Sequence, residues 1–528
     1  MGSKQKAIDA SRQQTFRKFY SLVSVPEGEM SSEFSCPKDL SGGLFFYDGK
    51  RQKGEGDGTF DVYEPRTGEV VAKCPIASAE FVNRICKKAY DSQKQWKKSP
   101  PLERSKVLHR VANILREHVD DIAKWETKTN GKCLKESRED ILSSADTFMF
   151  YAGILPAIAK GDYFDLPDNR IAYTRMEPYG VVGAIGAWNY PIQVTAAWKI
   201  APALSAGNSI VYKPSPFAPA SPVLLGEVLT AAGLPKGIFN VVQGEGETGQ
   251  ALCENEFVRK VTFTGSIPTG KAIQRACATK NIKPVTLELG GKSAYIVFED
   301  AKIEDAVTAA ILANFLNQGE VCTNATRVFV QKSIVSQFQD QLLKQLEKIK
   351  VGDPLDESNN VGAIINEQHL EKITGMVDRA IQEGAKVLRG GKRLHPKGVE
   401  KGFYFDPTVL TNLKDEMEIV KDEIFGPVLL LLPFETEEEV VERANATHYG
   451  LAAGLHTSCV KRAHRVAAEL EAGTIFVNTY SDTQVHVPFG GYKDSGHGRE
   501  NSVECLKAFM QVKSVYVNTG DEIAHNLD

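Results

Sequence analysis

The feature that most constrains the fold is a regular alternation of short β-branched runs and helical stretches, beginning at residue 181. We predict strands at 181–187, 209–212, 239–242, 260–263 and 285–288, with helices between them that end near residues 198, 232, 254 and 278. Strands joined by crossover helices form an open parallel sheet, which places ligands at the carboxyl ends of its strands. The predicted fold class is therefore α/β.

The chain is too long for one hydrophobic core. It has 528 residues, whereas single cores stop growing at roughly 250–300 residues. A second alternating set starts near Ser293, so we place a domain boundary at Gly290-Gly291. The predicted first domain comprises residues 30–160 and 177–290, and the second comprises 291–495. Two β-rich pieces, Tyr163 to Met176 and Gln511 to Val517, fit neither set and are predicted to pair within an arm that joins subunits and comprises residues 161–176 and 505–528.

Composition and charge exclude several classes of protein. Hydrophobic residues make up 42% of the chain and charged residues 25%, which is ordinary for a globular protein. The formal net charge of −4 gives no reason to expect a nucleic acid or an anionic membrane as partner. No run of consecutive apolar residues approaches the roughly 18 that a membrane span needs. The longest, Val428 to Leu432, reads as a buried strand.

The nine cysteines are scattered and never spaced as CxxC. That pattern argues against a disulfide scaffold or a metal site and favours a reducing compartment. We expect a cytoplasmic protein. Residues 1–29 leave an alternative open, because they contain five Lys or Arg, four Ser and only one acid before residue 26. Such a start is either a mitochondrial address or a flexible tail.

Cys322 departs from the usual buried, inert cysteine because it lies in a glycine-containing loop, Gln318 to Asn324, between a helical stretch and a β-rich run. Glu288 lies 34 positions earlier, at the end of a predicted strand. A thiol and a carboxylate at the tips of two elements suit a covalent intermediate that water later hydrolyses. Because the two residues fall on opposite sides of the domain boundary, we expect a site in the cleft between domains.

Two glycine loops compete as a phosphate-binding site. Gly244 to Gly249 matches GxGxxG, but it follows the third strand of the unit and no acid ends a strand about 20 residues later, so it fits the dinucleotide fingerprint poorly. Thr264 to Gly270 is the better candidate, because Gly265 permits close backbone approach and Ser266 lies at a helix N-terminus, where anions are favoured. It is equally typical of a turn with a helix cap.

Three further residues are candidates with ordinary alternatives. Lys213 ends a strand and could reach a ribose or phosphate, or be a solvated surface lysine. Asn189 could donate to an oxyanion or cap the next helix. Glu423, in Glu423-Ile424-Phe425-Gly426-Pro427, could bind ribose hydroxyls or belong to a turn before a strand.

In their order and spacing these motifs resemble the NAD(P)-dependent aldehyde dehydrogenase superfamily, over about residues 55–518. The resemblance is carried by WNYP, KPS, FTGS, ELGGKS, GEVCTNATR, EIFGPV and PFGGYKDSGHGRE. It implies a cofactor domain with an open parallel sheet, an α/β catalytic domain and a small β oligomerisation arm. It also implies Cys322 as nucleophile, Glu288 as general base and Asn189 as oxyanion donor. The cofactor contacts that it implies for NAD are Lys213, Ser215, Gly265, Ser266, Gly270, Leu289 and Glu423, with Trp188 and Phe425 along the cofactor path.

The motifs look most like those of family members that oxidise amino- and trimethylamino-aldehydes to acids, and a homo-oligomer (dimer or tetramer) is implied. Alternatives are a broad-specificity aliphatic enzyme, a CoA-acylating enzyme, which generally lacks the Glu of ELGG, and a non-enzymatic relative. For a trimethylammonium substrate we expect aromatic rings near the substrate tunnel, with Tyr190, Trp198 and Tyr480 as candidates.

Two positions depart from the family pattern. Pro216 stands where many NAD-preferring members carry Glu, which weakens the preference for NAD over NADP. Six residues, Ile192 to Ala197, separate WNYP from the following Trp-Lys, where five are usual. One extra residue is expected to turn a helical face by roughly 100°.

Overall fold

The computed structural model describes residues 34–521 and places the strands from residue 181 onward close to their predicted positions. Three of the four predicted helix ends agree, but the helix predicted to end near residue 198 continues to Ser205. The strands are β1 (Phe45–Tyr47), β2 (Lys50–Gln52), β3 (Thr59–Glu64), β4 (Glu69–Pro75), β5 (Tyr163–Leu166), β6 (Arg170–Pro178), β7 (Val181–Ile185), β8 (Ser209–Lys213), β9 (Phe239–Val241), β10 (Val258–Thr264), β11 (Val285–Glu288), β12 (Ala294–Val297), β13 (Arg327–Gln331), β14 (Lys386–Arg389), β15 (Arg393–Leu394), β16 (Tyr404–Phe405), β17 (Thr408–Thr411), β18 (Val428–Phe434), β19 (Ala452–His456), β20 (Thr474–Val477), β21 (Gly496–His497) and β22 (Met510–Asn518).

The helices lie mostly between these strands. They are α1 (Ala79–Trp96), α2 (Pro101–Glu117), α3 (Val119–Asn130), α4 (Leu134–Ile158), α5 (Trp198–Ser205), α6 (Ser221–Ala231), α7 (Gly246–Glu254), α8 (Ile267–Thr279), α9 (Ile303–Phe315), α10 (Val335–Leu346), α11 (Glu367–Gln382), α12 (Glu418–Lys421), α13 (Glu437–Asn445), α14 (Val460–Glu469) and α15 (Ser502–Ala508). Short 3₁₀ turns cover Leu316–Gly319, Lys332–Ile334 and Lys493–Ser495, and a π-helical turn covers Gln193–Ala197.

The first large sheet has the order β2-β1-β9-β8-β7-β10-β11-β21. Strands β9, β8, β7, β10 and β11 are parallel to one another, as the alternation predicted. Their side chains are almost all buried, which explains why they read as continuous apolar runs instead of alternating ones. The antiparallel strands β1, β2 and β21 extend this sheet at its two ends.

The second large sheet has the order β14-β17-β18-β13-β12-β19-β20 and is parallel except for the edge pair β14–β17. Apolar clusters cover both of its faces, because successive side chains of β12, β13 and β18 point to opposite sides. The run from Val428 to Leu432 is a buried strand here, as predicted. Within the described residues, the two sheets meet at the loop between Glu288 and Ala294.

The two β-rich pieces outside these sheets pair with each other. Strand β22 runs antiparallel to β6 over nine residue pairs, from Met510↔Pro178 to Asn518↔Arg170, and β5 pairs with the other edge of β6. The predicted pairing is therefore present. The predicted arm ended at residue 528. Residues 522–528 and the predicted N-terminal segment 1–29 lie outside the described residues.

The sequence predicted no membrane-spanning segment at the position of helix α4. It is long and apolar enough by length and composition to cross a membrane. Its apolar side, which includes Phe148, Tyr151 and Leu155, is buried, and it packs against α2, α3 and α5. A core helix of a globular domain passes the same test of length and hydropathy, and its packing here is that of a core helix.

Candidate active site

The parallel strands of the first sheet deliver the predicted residues to one edge. Ile185 of β7 lies between Lys213 of β8 and Phe263 of β10, and Thr264 pairs with Glu288 of β11. The loops after these strands carry Trp188-Asn189 and Gly265-Ser266. Residues that are up to 103 positions apart in the sequence, from Ile185 to Glu288, therefore meet where parallel strands end, as expected for an open α/β sheet.

The loop of Cys322 begins with a left-handed backbone. Asn317 and Gln318 have φ values of 49° and 44°, and Gly319 follows with φ 74°. A Cβ atom at Gly319 would lie 2.2 Å from the backbone carbon of Gly426, so only glycine fits. This turn ends the helical stretch that starts with α9 and presents Cys322 toward the first sheet.

Amide hydrogen bonds join Asn189 to the cysteine loop. The Asn189 Nδ2 donates to the carbonyl of Glu320 at 2.9 Å, and the Asn317 Nδ2 donates to the carbonyl of Asn189 at 3.0 Å. The Asn130 Nδ2 holds the preceding carbonyl, that of Trp188, at 2.7 Å. With one N–H fixed on Glu320, the Asn189 amide has its second N–H available for an oxyanion. Sequence reasoning missed Asn130 and Asn317, since no local motif marks them.

The Cys322 thiol is only partly exposed and lies among apolar side chains. Burial raises its pKa to about 12, and the carboxylates of Glu423 and Glu288 add to this effect. The N–H groups of Thr323 and of Cys322 itself hydrogen-bond the sulfur and partly oppose it. Because the carboxylates of Glu423 and Glu288 both act electrostatically on the sulfur, they lie in its surroundings. The structure therefore brings the predicted nucleophile and the predicted base together.

Glu288 is 3% exposed, and within the described part of the chain neither carboxyl oxygen has a hydrogen-bond partner. Gly490 lies against it, since a Cβ there would be 2.8 Å from Oε1. Burial raises the pKa of Glu288 well above its usual range, Glu500 raises it further, and Lys199 and Arg499 oppose the shift. A buried carboxyl with two free oxygens next to a thiol is suited to accept a proton from water.

A buried ion pair stands behind this base. The ammonium of Lys199, in α5, donates to Oε1 of Glu500, and both side chains are almost fully buried. Sequence reasoning assigned neither residue a role, although Glu500 ends the PFGGYKDSGHGRE motif that carried the resemblance. Their distance along the chain, 301 residues, explains why the pairing left no local signal.

Candidate phosphate and ribose contacts lie along the same edge. Lys213 is buried, and its ammonium donates to the carbonyl of Pro214 at 2.9 Å, while burial lowers its pKa to about 8. It is therefore not the solvated lysine of the ordinary alternative. Ser215 is also buried, and its hydroxyl accepts from the Phe217 N–H at 3.3 Å.

Helix α8 begins after Ser266 without a side-chain cap, because the Ser266 hydroxyl pairs instead with Thr269 at 2.9 Å. Its first N–H groups are thus free for an anion. Gly265 and Gly270 are closely packed, against the Phe263 ring and the Leu289 side chain respectively. The rival loop is near as well, since a Cβ on Gly249 would lie 3.7 Å from the Lys213 side chain, so the two loops remain alternatives.

Glu423 and Phe425 form the opposite wall and lie in the loop before β18 of the second large sheet. Oε1 of Glu423 accepts from the Gly291 N–H at 2.9 Å. Trp188 meets Phe425 edge-to-face at 5.1 Å between ring centroids, and His369 contacts Trp188 at the same distance. The His369 ring nitrogen bonds the Phe425 carbonyl at 2.7 Å. This aromatic group brings the two predicted path residues, Trp188 and Phe425, together.

An apolar cluster of side chains adjoins the thiol. Trp198, Leu451 and Phe489 form a buried cluster, and Val194 and Cys322 pack against it. Trp198 and Phe489 lie 5.3 Å apart between ring centroids at 66°. Of the three predicted aromatic candidates, only Trp198 belongs to this cluster.

The other two aromatic candidates are engaged elsewhere. The Lys132 ammonium lies 4.0 Å from the centroid of the Tyr190 ring and occupies that face. Tyr480 is 4% exposed, and its hydroxyl donates to the Thr323 carbonyl at 2.8 Å. Tyr190 and Tyr480 therefore serve as structural aromatics, and Phe489, which sequence reasoning missed, takes the place beside Trp198.

The extra residue before Trp198 does not turn the following helix. The Ala197 N–H donates to the Ile192 carbonyl at 2.8 Å, a hydrogen bond that spans five residues. A π turn holds one residue more than an α turn. It absorbs the insertion and leaves Trp198 and Lys199 facing the site, so the predicted rotation of roughly 100° is wrong.

The chain matches the aldehyde dehydrogenase family over residues 52–515, nearly all of its described length. It belongs to that family. It is 50% identical over 469 residues to 4-trimethylaminobutyraldehyde dehydrogenase of Bos taurus, covering 88% of this chain and 94% of that protein. A protein of the same name, form A, from Danio rerio is 47% identical over 503 residues, covering 95% and 98%.

Solved structures agree with this membership. A betaine aldehyde dehydrogenase from Staphylococcus aureus superposes with a TM-score of 0.87 at 36% identity, covering 91% of this chain and 96% of that one. An aldehyde dehydrogenase from Bacillus cereus in complex with NAD+ superposes with a TM-score of 0.86 at 37% identity, covering 90% and 96%. The predicted aldehyde dehydrogenase fold is confirmed.

Proposed function

We propose that this aldehyde dehydrogenase oxidises amino- or trimethylamino-aldehydes to carboxylic acids with NAD+. The observation that carries the proposal is the convergence of Cys322, Asn189 and Glu288 beside an apolar cluster that contains Trp198 and Phe489. The relatives named 4-trimethylaminobutyraldehyde dehydrogenase and the structural neighbours named betaine aldehyde dehydrogenase support the choice of substrate class.

Each residue has a defined part in this chemistry. The Cys322 sulfur, as thiolate, attacks the aldehyde carbon, and the Asn189 amide with the Cys322 N–H stabilises the oxyanion. Loss of hydride from that carbon leaves a thioester on Cys322. Glu288 then takes a proton from water, and the resulting hydroxide releases the acid.

NAD+, when bound, supplies the acceptor for the hydride. The residues present fit such a ligand: the uncapped start of α8 at Ser266 suits its phosphates, Lys213 has donors left beyond its bond to Pro214, and the Glu423 carboxylate suits ribose hydroxyls. Ser215 and Leu289 line the same edge. Because Pro216 offers no carboxylate to repel a 2′-phosphate, we expect NADP+ to be accepted with lower, but measurable, efficiency.

For the substrate, the faces of Trp198 and Phe489 offer cation–π contacts to a quaternary ammonium group, which has no hydrogen-bond donor of its own. The same apolar wall would also accept an aliphatic chain. The substrate comparison therefore decides between an amino-aldehyde enzyme and the broad-specificity alternative.

The test measures NADH absorbance with 4-trimethylaminobutyraldehyde, betaine aldehyde and hexanal, each with NAD+ and with NADP+. We expect the highest kcat/KM for a trimethylammonium aldehyde, with NADH formation abolished by Cys322→Ala. Trp198→Leu should lower kcat/KM for the cationic aldehydes about tenfold and leave hexanal nearly unchanged, since a cation–π contact is worth roughly 1–2 kcal/mol. Equal efficiency on hexanal would refute the cationic substrate class.

A CoA-acylating reaction is the remaining enzymatic alternative. The position of Glu288 beside the thiol favours water as the acceptor of the acyl group. Acid should therefore form at the same rate with and without CoA, whereas an acyl-CoA product would overturn the hydrolytic assignment.

A further inference from the structure

Two cysteines outside the active site lie side by side in the first domain. Cys253 is in the last turn of α7 and Cys277 is near the end of α8, and both are at most 2% exposed. Helices α7 and α8 pack against each other, and the two thiols are hydrogen-bonded. Both cysteines are in the free thiol form.

A lysine ammonium lies against this pair. Lys283 is buried, and its Nζ donates to the Cys253 carbonyl at 2.5 Å. The hydrogen bond from Cys253 lowers the pKa of Cys277, and the positive charge of Lys283 lowers it further, against the effect of burial. By contrast, burial raises the pKa of Cys74 and of Cys505 to about 12.

This arrangement has the parts of a reversible thiol oxidation site. Oxidation of a thiol by peroxide starts from the thiolate, and a second thiol beside it resolves the sulfenic acid to a disulfide. Cys277 is the more acidic thiol and Cys253 is within hydrogen-bond distance of it. This pair of thiols differs from the Cys322 thiol, because the apolar cluster on which Cys322 packs contains no second cysteine.

We propose that Cys277 and Cys253 form a reversible disulfide when the protein meets a hydroperoxide. The Cys277 thiolate attacks one peroxide oxygen, the O–O bond breaks, and the leaving oxygen departs as water after protonation, which leaves a sulfenic acid. The Cys253 sulfur then attacks the Cys277 sulfur, its proton goes to the departing hydroxyl, and a second water leaves. The two thiols lose two electrons and hydrogen peroxide gains two.

Access requires only a local opening. Cys277 is buried, but residues 278–280, which follow it in the last turn of α8 and its cap, are exposed. Helix ends open at low free energy, and peroxide is little larger than water. The site is also mechanically connected to the proposed cofactor edge, because α7 and α8 start at the two glycine loops and carry these cysteines roughly 10 and 15 Å further along their axes.

The test maps disulfides in the full-length protein after treatment with hydrogen peroxide, with free thiols alkylated during denaturation. Trypsin places Cys253 in peptide 237–259 and Cys277 in peptide 276–280. We expect these two peptides to be joined, with a mass two hydrogens below their sum, and to separate on addition of dithiothreitol. A Cys322→Ala background keeps oxidation of the nucleophile out of the analysis.

Matched variants separate the two roles. In Cys277→Ser the Cys253 peptide should be fully alkylated, whereas in Cys253→Ser the sulfenic acid on Cys277 should be trapped by dimedone. Cys86→Ser, which removes another buried thiol near Lys283, should leave the cross-link unchanged. The disulfide map of the wild-type protein tests the proposal even where a variant folds poorly. Two results would overturn the proposal. One is full alkylation of both peptides at a peroxide dose that oxidises Cys322 in the wild-type protein, and the other is a cross-link of either peptide to Cys86 instead.

Discussion

At the scale of single residues, burial favours the neutral forms of the groups proposed to carry the chemistry. The pKa of Cys322 is raised to about 12, chiefly by burial, and that of Glu288 is raised well above its usual range. A carboxyl with a raised pKa stays protonated to a higher pH than an ordinary one, and it becomes a base as the pH rises through that pKa. Hydrolysis of the thioester should therefore accelerate with pH.

Replacing Glu288 by Gln should slow thioester hydrolysis by about 10²–10⁴-fold, the usual contribution of a general base. NADH should then appear as a burst equal to the enzyme concentration, followed by slow turnover whose rate no longer rises with pH. Stopped-flow absorbance between pH 6 and 9.5 measures both. A steady-state rate equal to that of the wild type at every pH would contradict the assignment.

Glu500→Gln is the companion change. It removes a negative charge that raises the pKa of Glu288 and leaves the positive charge of Lys199 near it. The rising limb of the pH profile should therefore shift to lower pH. A limb that stays in place, or moves to higher pH, would show that Glu500 does not act on the base.

Glu320 makes a prediction about stability. It is fully buried, its oxygens accept from the Ile365 N–H and the Gln318 amide, and burial raises its pKa to about 8. An unfolded Glu ionises near pH 4.3, so the folded state binds more protons between these values, and stability is lost as pH rises from about 4.3 to 8. Glu320→Gln should flatten that loss, which is worth up to roughly 5 kcal/mol by this linkage.

Thermal or urea unfolding of wild type and Glu320→Gln at pH 6 and pH 9 measures the effect. The side-chain oxygen of Gln318 has no partner among the described residues. If the Gln318 side-chain amide flips, this oxygen can therefore accept a hydrogen bond from the Gln side chain introduced at position 320. An unchanged difference in stability between the two pH values would count against Glu320 as its source.

Sequence reasoning singled out the proposed reacting residues because each ends or follows a strand or lies in a glycine loop, where local pattern reports position. Cys322, Glu288 and Asn189 are of this kind. It missed Asn130, Phe489 and the Lys199–Glu500 pair, because their roles come from contacts with distant parts of the chain that no local spacing encodes.

At the scale of elements, the π turn at Gln193–Ala197 shows how a helix accommodates one extra residue. Helix α5, which follows the turn, is held in place by the packing of Trp198 on Phe489 and by the pairing of Lys199 with Glu500. The residues before Ala197 must therefore take up any change in register. Val194, which packs on the cluster at Cys322, lies in this stretch.

Deleting Ala196 should convert the π turn to a regular α turn and rotate Val194 by roughly 100° away from the thiol. We expect the KM for aldehydes to change several-fold, with the order of substrates altered and the fold retained by circular dichroism. Val194→Ala, which removes the contact without changing register, is the matched control and should alter KM less. The same KM in the deletion variant for every aldehyde would show that the turn does not shape the pocket.

The strands and helices from residue 181 onward were predictable because short continuous apolar runs alternate there with longer stretches of helical periodicity. The π turn was not, since the sequence shows an extra residue but not which hydrogen bonds absorb it. Strands β3 and β4 were missed too, because the hairpin is largely exposed and lacks a continuous apolar run.

At the scale of the whole molecule, the sheet of β22, β6 and β5 offers a surface for assembly. Phe164, Val512 and Tyr516 expose between 47% and 75% of their surface on one face of it, and Tyr163 lies on the other face. Large apolar side chains clustered on an exposed sheet commonly mark contacts between proteins. We propose that this arm joins copies of the chain, consistent with its predicted role.

Val512→Lys combined with Tyr516→Lys places two charges on that surface and should shift the protein to a smaller assembly in light scattering. Gln511→Lys, on the other face of the same strand, should leave the assembly unchanged. The strand itself should persist, because its hydrogen bonds to β6 are between backbones. An intact oligomer in the double variant would remove the arm from the interface.

The buried thiol and the buried acid beside the apolar cluster of Trp198 and Phe489 have one more consequence. Burial disfavours the charged forms of both groups, so we expect the attraction of a permanently cationic aldehyde to rest mainly on the quadrupoles of Trp198 and Phe489 at short range. Added electrolyte screens long-range fields between ions over roughly 10 Å but barely affects such contacts in a buried pocket. The KM for trimethylammonium aldehydes should thus stay nearly constant from 20 to about 500 mM potassium chloride.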